Sequence, residues 1–95
     1  MSRSPIAFHP HAQYEVEEAR DWYLHRKMSP FAARRLMKAV DDAVTRIQVE
    51  PLRWPVYMSG TRRFLLRRFP YLVIYEVQPA LIRIVAFAHT RRRPG

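Results

Sequence analysis

The period of the apolar residues changes once along this chain, from helical spacing in the first half to strand-like alternation in the second. Between Pro10 and Lys27 the apolar residues recur at the spacing of one helix face, which predicts an amphipathic helix. Ser29 and Pro30 are a typical N-cap and first helical residue, and a second apolar stripe then runs to Glu50. Because the link between the two segments is so short, we expect an antiparallel helix hairpin whose apolar face is covered by another layer.

Three runs in the second half have the composition of strands, and they are Arg62 to Arg68, Tyr71 to Val77 and Leu81 to His89. Short links containing proline separate them, which predicts an antiparallel meander. A further apolar run, Pro5 to His9, predicts a short first strand. The predicted fold class is therefore α+β, in the order β-α-α-β-β-β. At 95 residues, the chain is expected to form a single domain spanning residues 1–95.

Side chains alternate between the two faces of a strand, so the pattern also predicts which residues meet the helices. In the last run this set is Ile82, Ile84, Ala86 and Ala88, and the set predicted on the open face is Arg83, Val85, Phe87 and His89. In the first run Phe64 and Leu66 are predicted to face the helices, and Arg63, Leu65 and Arg67 the open side. The middle run is apolar on both faces, so its orientation stays open.

Composition excludes several classes of site. The chain has no cysteine and only two glycines, which excludes disulfides, thiolate metal sites and glycine-rich phosphate loops. The longest apolar runs are five residues, whereas a membrane helix needs about 20. The N-terminus lacks the apolar segment of a signal peptide. We therefore expect a soluble cytoplasmic protein without membrane contact.

The distribution of charge predicts an anionic partner. Glu76 is the only acidic residue after Glu50, whereas nine of the 17 lysines and arginines lie in that half, and the net charge of the chain is +9. Arginine accounts for all the basic residues except Lys27 and Lys38, and its planar fork binds phosphate and carboxylate in a bidentate manner. Two partners remain open at this point, a nucleic-acid or ribosome surface and an acidic protein.

The residues alone indicate two possible chemistries, a metal site and phosphodiester cleavage. His9, His11 and Glu15 have some of the spacing of a metal site, but no further ligand of a defined kind is nearby, so neither a metal nor another cofactor is predicted. Arginines and aromatic residues on an open sheet suit single-stranded RNA or phosphodiester chemistry. There, arginines would stabilise the developing charge and His89 would transfer a proton, without a metal.

Four segments carry a resemblance to a known family: EARDWY at Glu18 to Tyr23, EPLRWP at Glu50 to Pro55, RRFLLRRFPYLVIYEV at Arg62 to Val77, and AFAHTRRRP at Ala86 to Pro94. In this order, the chain from residue 6 to 94 resembles the RelE/ParE superfamily of bacterial toxins, and most closely its plasmid stabilisation branch. The resemblance implies the toxin of a type II toxin–antitoxin system, co-encoded with an antitoxin whose acidic segment wraps and masks it. It is also compatible with a dimer or a toxin–antitoxin hetero-oligomer.

The resemblance leaves the mechanism open between two branches. RelE-like members are ribosome-dependent mRNA endonucleases, and the positions that match their basic residues here are Arg63, Arg67, His89 and Arg91. Leu65 and Leu72 stand where that branch usually has basic residues, so we favour a ParE-like growth inhibitor that binds DNA gyrase. The remaining arginines are then predicted to contact antitoxin or target, and they are Arg62, Arg68, Arg83, Arg92 and Arg93. A third alternative is a non-toxic RNA-binding domain of the same fold.

Overall fold

A helix hairpin lies on one face of a four-stranded sheet in the computed structural model, which describes residues 4–91. The elements are β1 (Ile6–Phe8), α1 (Pro10–Asp21), α2 (Pro30–Val49), β2 (Arg62–Leu65), β3 (Tyr71–Val77) and β4 (Ile82–His89). The strand order is β1-β4-β3-β2, with β1 parallel to β4 and the other pairs antiparallel. The predicted α+β class and element order are confirmed.

Both helices begin where the sequence predicts, because a side chain caps each start. The Nδ1 atom of His9 accepts a hydrogen bond from the backbone N–H of His11 at 3.0 Å, and Ser29 Oγ accepts one from Ala32 at 3.1 Å. The α-helical part of the first segment ends at Asp21, and one π-helical turn, Trp22–Arg26, completes it. The predicted helical extent is thus close to the observed one, but its last turn is wider than an α-helical turn.

The strand β2 is shorter than predicted. It ends at Leu65, so Arg67 and Arg68 lie in the connection to β3 rather than in the sheet. Arg68 has a left-handed backbone with φ of 67°, which ends the strand geometry. Phe64 and Leu66 are both buried, as the alternation predicts, and Leu65 is exposed.

A β-bulge in β4 overturns the predicted orientation of its second half. Ile74 on β3 pairs with Ala86 and Tyr75 pairs with Ile84, so Val85 is an extra residue without a partner. Such a bulge inverts the alternation beyond it. Phe87 is consequently buried among the core residues, at 2% exposure, although it was predicted on the open face. Burying the large phenyl ring removes more apolar surface from water than burying the neighbouring alanines would.

His89 follows Phe87 to the helix side of the sheet, so its predicted position on the open face is also wrong. It pairs with Tyr71 across the ladder, and its ring meets the Tyr71 ring edge-on at 5.2 Å between centroids. The Tyr71 ring in turn stacks on the buried Phe87 ring at 4.7 Å. The bulge therefore determines that the His89 side chain lies on the helix side of the sheet.

Tyr75 links the core to the segment that follows α2. Its side chain is fully buried, and its hydroxyl donates a 2.7 Å hydrogen bond to the carbonyl oxygen of Pro51. Burial raises the pKa of Tyr75 from 10.0 to about 12, and the nearby Arg62 opposes part of that shift. The neutral hydroxyl is thus favoured in the folded protein over the unfolded one.

We expect Tyr75→Phe to lower the free energy of unfolding by roughly 1–2 kcal/mol near neutral pH, because the Pro51 carbonyl loses its partner. Since the folded-state pKa is raised, the contribution from Tyr75 titration is constant below pH 10 and is lost as the pH rises from 10 towards 12. Urea unfolding of both proteins across that range should therefore show a steeper decline for the parent. Parallel declines would contradict this assignment.

Candidate partner-binding surfaces

A groove between α2 and the β2–β3 connection is lined by cations from both elements. Its volume is about 470 Å³. The residues that line it are Arg35, Lys38, Ala39, Asp42, Ala43, Thr45, Arg46, Phe64, Arg67, Arg68 and Phe69. Five of these are cationic and one, Asp42, is anionic. We call this surface the cationic groove.

The α2 side of the cationic groove was not predicted from the sequence. Arg35, Lys38 and Arg46 lie on one helix face, since they are spaced by three residues and then by eight. That spacing is visible in the sequence and could have indicated a basic stripe. What the sequence does not show is that this stripe lies opposite Arg67 and Arg68.

Most of the charge in the cationic groove is available to a partner. Lys38 lies 3.8 Å from Asp42 in an exposed pair, and Arg35 lies over the ring of Phe31. Within residues 4–91, no ion pair includes Arg46, Arg67 or Arg68. Unpaired arginines beside the half-buried Phe69 favour an acidic, amphipathic ligand, because the arginines attract its carboxylates while the Phe69 ring contacts its apolar side chains.

The face of the sheet away from the helices carries Arg63 and Arg83. Arg63 lies opposite Ile74, with its guanidinium over the Tyr57 ring at 5.4 Å. Arg83 lies opposite Glu76. Both are separated by the thickness of the sheet from the cationic groove, so the predicted partner-binding arginines divide between two surfaces.

The side chain of Arg62 makes hydrogen bonds within the protein. It lies on the helix side of β2, and its Nη1 atom donates to the carbonyl oxygens of Leu52 at 3.1 Å and Trp54 at 2.7 Å. These bonds hold the loop between α2 and β2 against the sheet. Arg92 and Arg93 lie outside the described residues.

His89 lines a second cavity, of about 490 Å³, between α1 and the ends of β3 and β4. Its Nδ1 atom accepts a 3.1 Å hydrogen bond from the backbone N–H of Arg91, so in the neutral ring the proton lies on Nε2. Glu15 and Glu18 from α1 line the same cavity, and no lysine or arginine in the described part of the chain does. The surroundings of His89 are thus acidic and aromatic.

The structure does not bring the four candidate catalytic residues together. Arg63 lies on the open face, Arg67 lines the cationic groove, and His89 lines the cavity beside α1. The strand β3 also separates β2 from β4, which places their backbones roughly 10 Å apart. Only Arg91 is adjacent to His89, through the backbone hydrogen bond.

The histidines at the start of α1 are used locally. His9 caps the helix, and His11 Nε2 lies 3.7 Å from Glu15 Oε2. In the part of the chain from residue 4 to 91, no group of three acidic or histidine side chains is arranged to hold a metal ion. None of the helices in that same part combines the length and apolarity required to cross a membrane.

Comparison with known proteins supplies the family context. The sequence model for the ParE toxin of the type II toxin–antitoxin system parDE matches residues 6–94. A solved structure described as the chromosomal ParDE toxin–antitoxin system from P. aeruginosa is similar in fold, with a TM-score of 0.81. The match covers 94% of this chain and 98% of that one, at 17% sequence identity. Comparison with curated protein sequences gave no match.

Proposed function

This chain belongs to the ParE toxin family of type II toxin–antitoxin systems, and we propose that it inhibits growth by binding DNA gyrase in the cytoplasm rather than by cleaving RNA. The observation that supports a binding mechanism is the separation of the candidate catalytic residues. Arg63 and His89 lie on opposite faces of the sheet. A single phosphodiester cannot contact both side chains at hydrogen-bonding distance.

The electrostatics around His89 also argue against RNA cleavage there. Glu15 and Glu18 line its cavity, and among residues 4–91 no lysine or arginine does. A phosphodiester entering this cavity would be repelled by the carboxylates, and none of the described lining residues is an arginine or lysine that would stabilise the charge developing on the phosphate during cleavage.

We place the neutralising antitoxin in the cationic groove. An antitoxin segment with acidic residues on one face and apolar residues on another would pair with Arg67, Arg68 and Arg46 and cover Phe69. The net charge of +9 would also accelerate association with an acidic chain. Charge complementarity is thus the proposed basis of both recognition and rapid neutralisation.

We expect the purified protein to block supercoiling by DNA gyrase and to leave mRNA intact during translation in a reconstituted system. Supercoiling is read on a plasmid by gel electrophoresis, and mRNA integrity by primer extension. Adding the co-encoded antitoxin in equimolar amount should restore supercoiling, which controls for non-specific binding of a basic protein to DNA.

Two outcomes would overturn this proposal. New mRNA 5′ ends that require ribosomes and disappear in His89→Ala would make the protein a RelE-like endonuclease. Unchanged growth on expression, together with unchanged supercoiling, would instead indicate a non-toxic domain of the same fold.

A further inference from the structure

The cavity beside α1 has a composition unlike the rest of this basic protein. Its lining residues are Glu15, Glu18, Ala19, Trp22, Tyr23, Pro70, Tyr71, Phe87 and His89. Five have aromatic rings and two have carboxylates. We call it the aromatic–acidic pocket. Its volume of about 490 Å³ is within the range of cavities that bind small ligands or single side chains.

The rings of the aromatic–acidic pocket are held in fixed mutual orientations. The Tyr71 ring stacks on the Phe87 ring with 6° between their planes, and the Trp22 and Tyr23 rings are perpendicular at 4.9 Å. The Trp22 side chain is 42% exposed. A partly exposed indole beside packed rings offers a π-face to a ligand, and such faces attract cations.

Lys27 makes a cation–π contact with the Trp22 ring. The Nζ atom of Lys27 lies 5.4 Å from its centroid. Lys27 does not line the aromatic–acidic pocket. The contact shows that the indole is positioned to hold a positive charge, even in a chain that carries a net charge of +9.

The two carboxylates lie at different depths of the aromatic–acidic pocket. Glu15 is only 9% exposed, and its Oε1 atom accepts a 3.0 Å hydrogen bond from the backbone N–H of Phe87. Its Oε2 atom lies 3.7 Å from His11 Nε2, and a carboxylate, with about four acceptor positions, can take part in several contacts at once. Glu18 is exposed and lies nearly one helical turn further along α1. A hydrogen bond to Glu18 raises the pKa of Tyr14 outside the pocket.

We propose that the aromatic–acidic pocket binds a guanidinium group. A guanidinium is planar, so it stacks on aromatic faces, and its forked N–H groups match a carboxylate in bidentate geometry. The partial burial of Glu15 lowers the local dielectric constant and strengthens this attraction. An arginine of a partner protein and a small guanidinium compound share this chemistry, and the experiment below distinguishes the two sources. This site is separate from the cationic groove and does not depend on the target of the toxin.

The test uses N-acetyl-L-arginine methylamide as the probe and two-dimensional NMR of the full chain as the readout. We expect saturable binding with a dissociation constant on the order of 1 mM, and shifts at the Trp22 indole and the backbone amide of Phe87. The citrulline analogue has nearly the same shape but no charge. It should bind about 10-fold more weakly or worse, because the charge-assisted hydrogen bonds are lost.

Matched variants on α1 separate this site from general attraction between charges. Glu18→Gln removes one carboxylate of the pocket, and Glu15→Gln removes the other while keeping an oxygen for the Phe87 N–H. Each should weaken binding by about 5-fold or more. Glu17→Gln removes an exposed carboxylate that bonds Gln13 and does not line the pocket, so binding should be unchanged.

Equal binding of the citrulline analogue, or an equal loss in Glu17→Gln, would overturn the proposal. A titration in which the Trp22 signals do not shift in a saturable manner would overturn it as well. A short peptide with one central arginine then distinguishes the two sources. Binding at least 10-fold tighter than the methylamide indicates a partner protein, and equal binding indicates a small guanidinium compound.

Discussion

Replacing Arg67 and Arg68 with glutamate is expected to weaken antitoxin binding at least about 100-fold, which corresponds to about 2.7 kcal/mol. The reason is that both arginines line the cationic groove from the same connection, and an acidic segment bound there would meet two repulsive charges instead of two attractive ones. The dissociation constant can be measured by isothermal titration calorimetry with the cognate antitoxin. Raising the salt concentration should weaken the parent complex more than the variant complex.

The control variant is Arg26→Glu with Arg34→Glu, which changes the net charge equally and leaves the lining of the cationic groove intact. Its antitoxin affinity should stay within about 5-fold of the parent value, since exposed charges outside the interface act mainly on the association rate. If both double variants lose affinity equally, net charge rather than the groove determines binding.

A single variant separates this charge effect from folding. Arg68 has a φ of 67°, a conformation that costs most residues roughly 1 kcal/mol and glycine very little. Arg68→Gly should therefore keep or slightly raise the free energy of unfolding and still weaken antitoxin binding. Affinity equal to that of the parent would exclude Arg68 from the interface.

Phe87→Ala is expected to lower the free energy of unfolding by about 3–5 kcal/mol, because it opens a cavity in the core. Phe87 is 2% exposed and stacks on Tyr71. For a domain of this size, such a loss lowers the melting temperature by at least about 10 °C. Urea unfolding followed by circular dichroism gives the difference directly.

The comparison variant is Val85→Ala, at the residue that the bulge leaves without a partner. It should cost less than about 1.5 kcal/mol, because Val85 is only half-buried. If Phe87→Ala does not fold, Phe87→Leu keeps the ranking measurable, since it too should cost more than Val85→Ala. The opposite ranking would mean that regular alternation continues to His89 and that the bulge is absent.

Local chemistry in the sequence was sufficient for the element order and for the helix starts. Ser29 and Pro30 specify a helix start by their own side chains, and the alternation around Phe64 and Leu66 specifies the buried face of β2. The four segments that resemble the family could also be recognised in the sequence, and the family model matches residues 6–94. These features depend on neighbours in the chain, so the sequence determines them without reference to distant residues.

The surfaces depend on contacts between residues far apart in the chain. A bulge at Val85 moved Phe87 and His89 to the helix side, because the large phenyl ring is more stable in the core than an alanine there. The short strand β1 pairs with only the first part of β4. Beyond the end of β1, the Glu15 carboxylate accepts a hydrogen bond from the backbone N–H of Phe87. These are packing and hydrogen-bonding requirements of the assembled sheet, and no local pattern in β4 encodes them.

The sequence by itself thus determined a ParE-like α+β fold, its caps and a strongly basic second half. Only the tertiary structure decided that arginines from α2 and from the β2–β3 connection form one cationic groove, and that His89 lies in an acidic, aromatic pocket away from Arg63. The physical reason is that fold class follows from periodicity along the chain, whereas the charge and shape of a binding surface follow from which elements pack together.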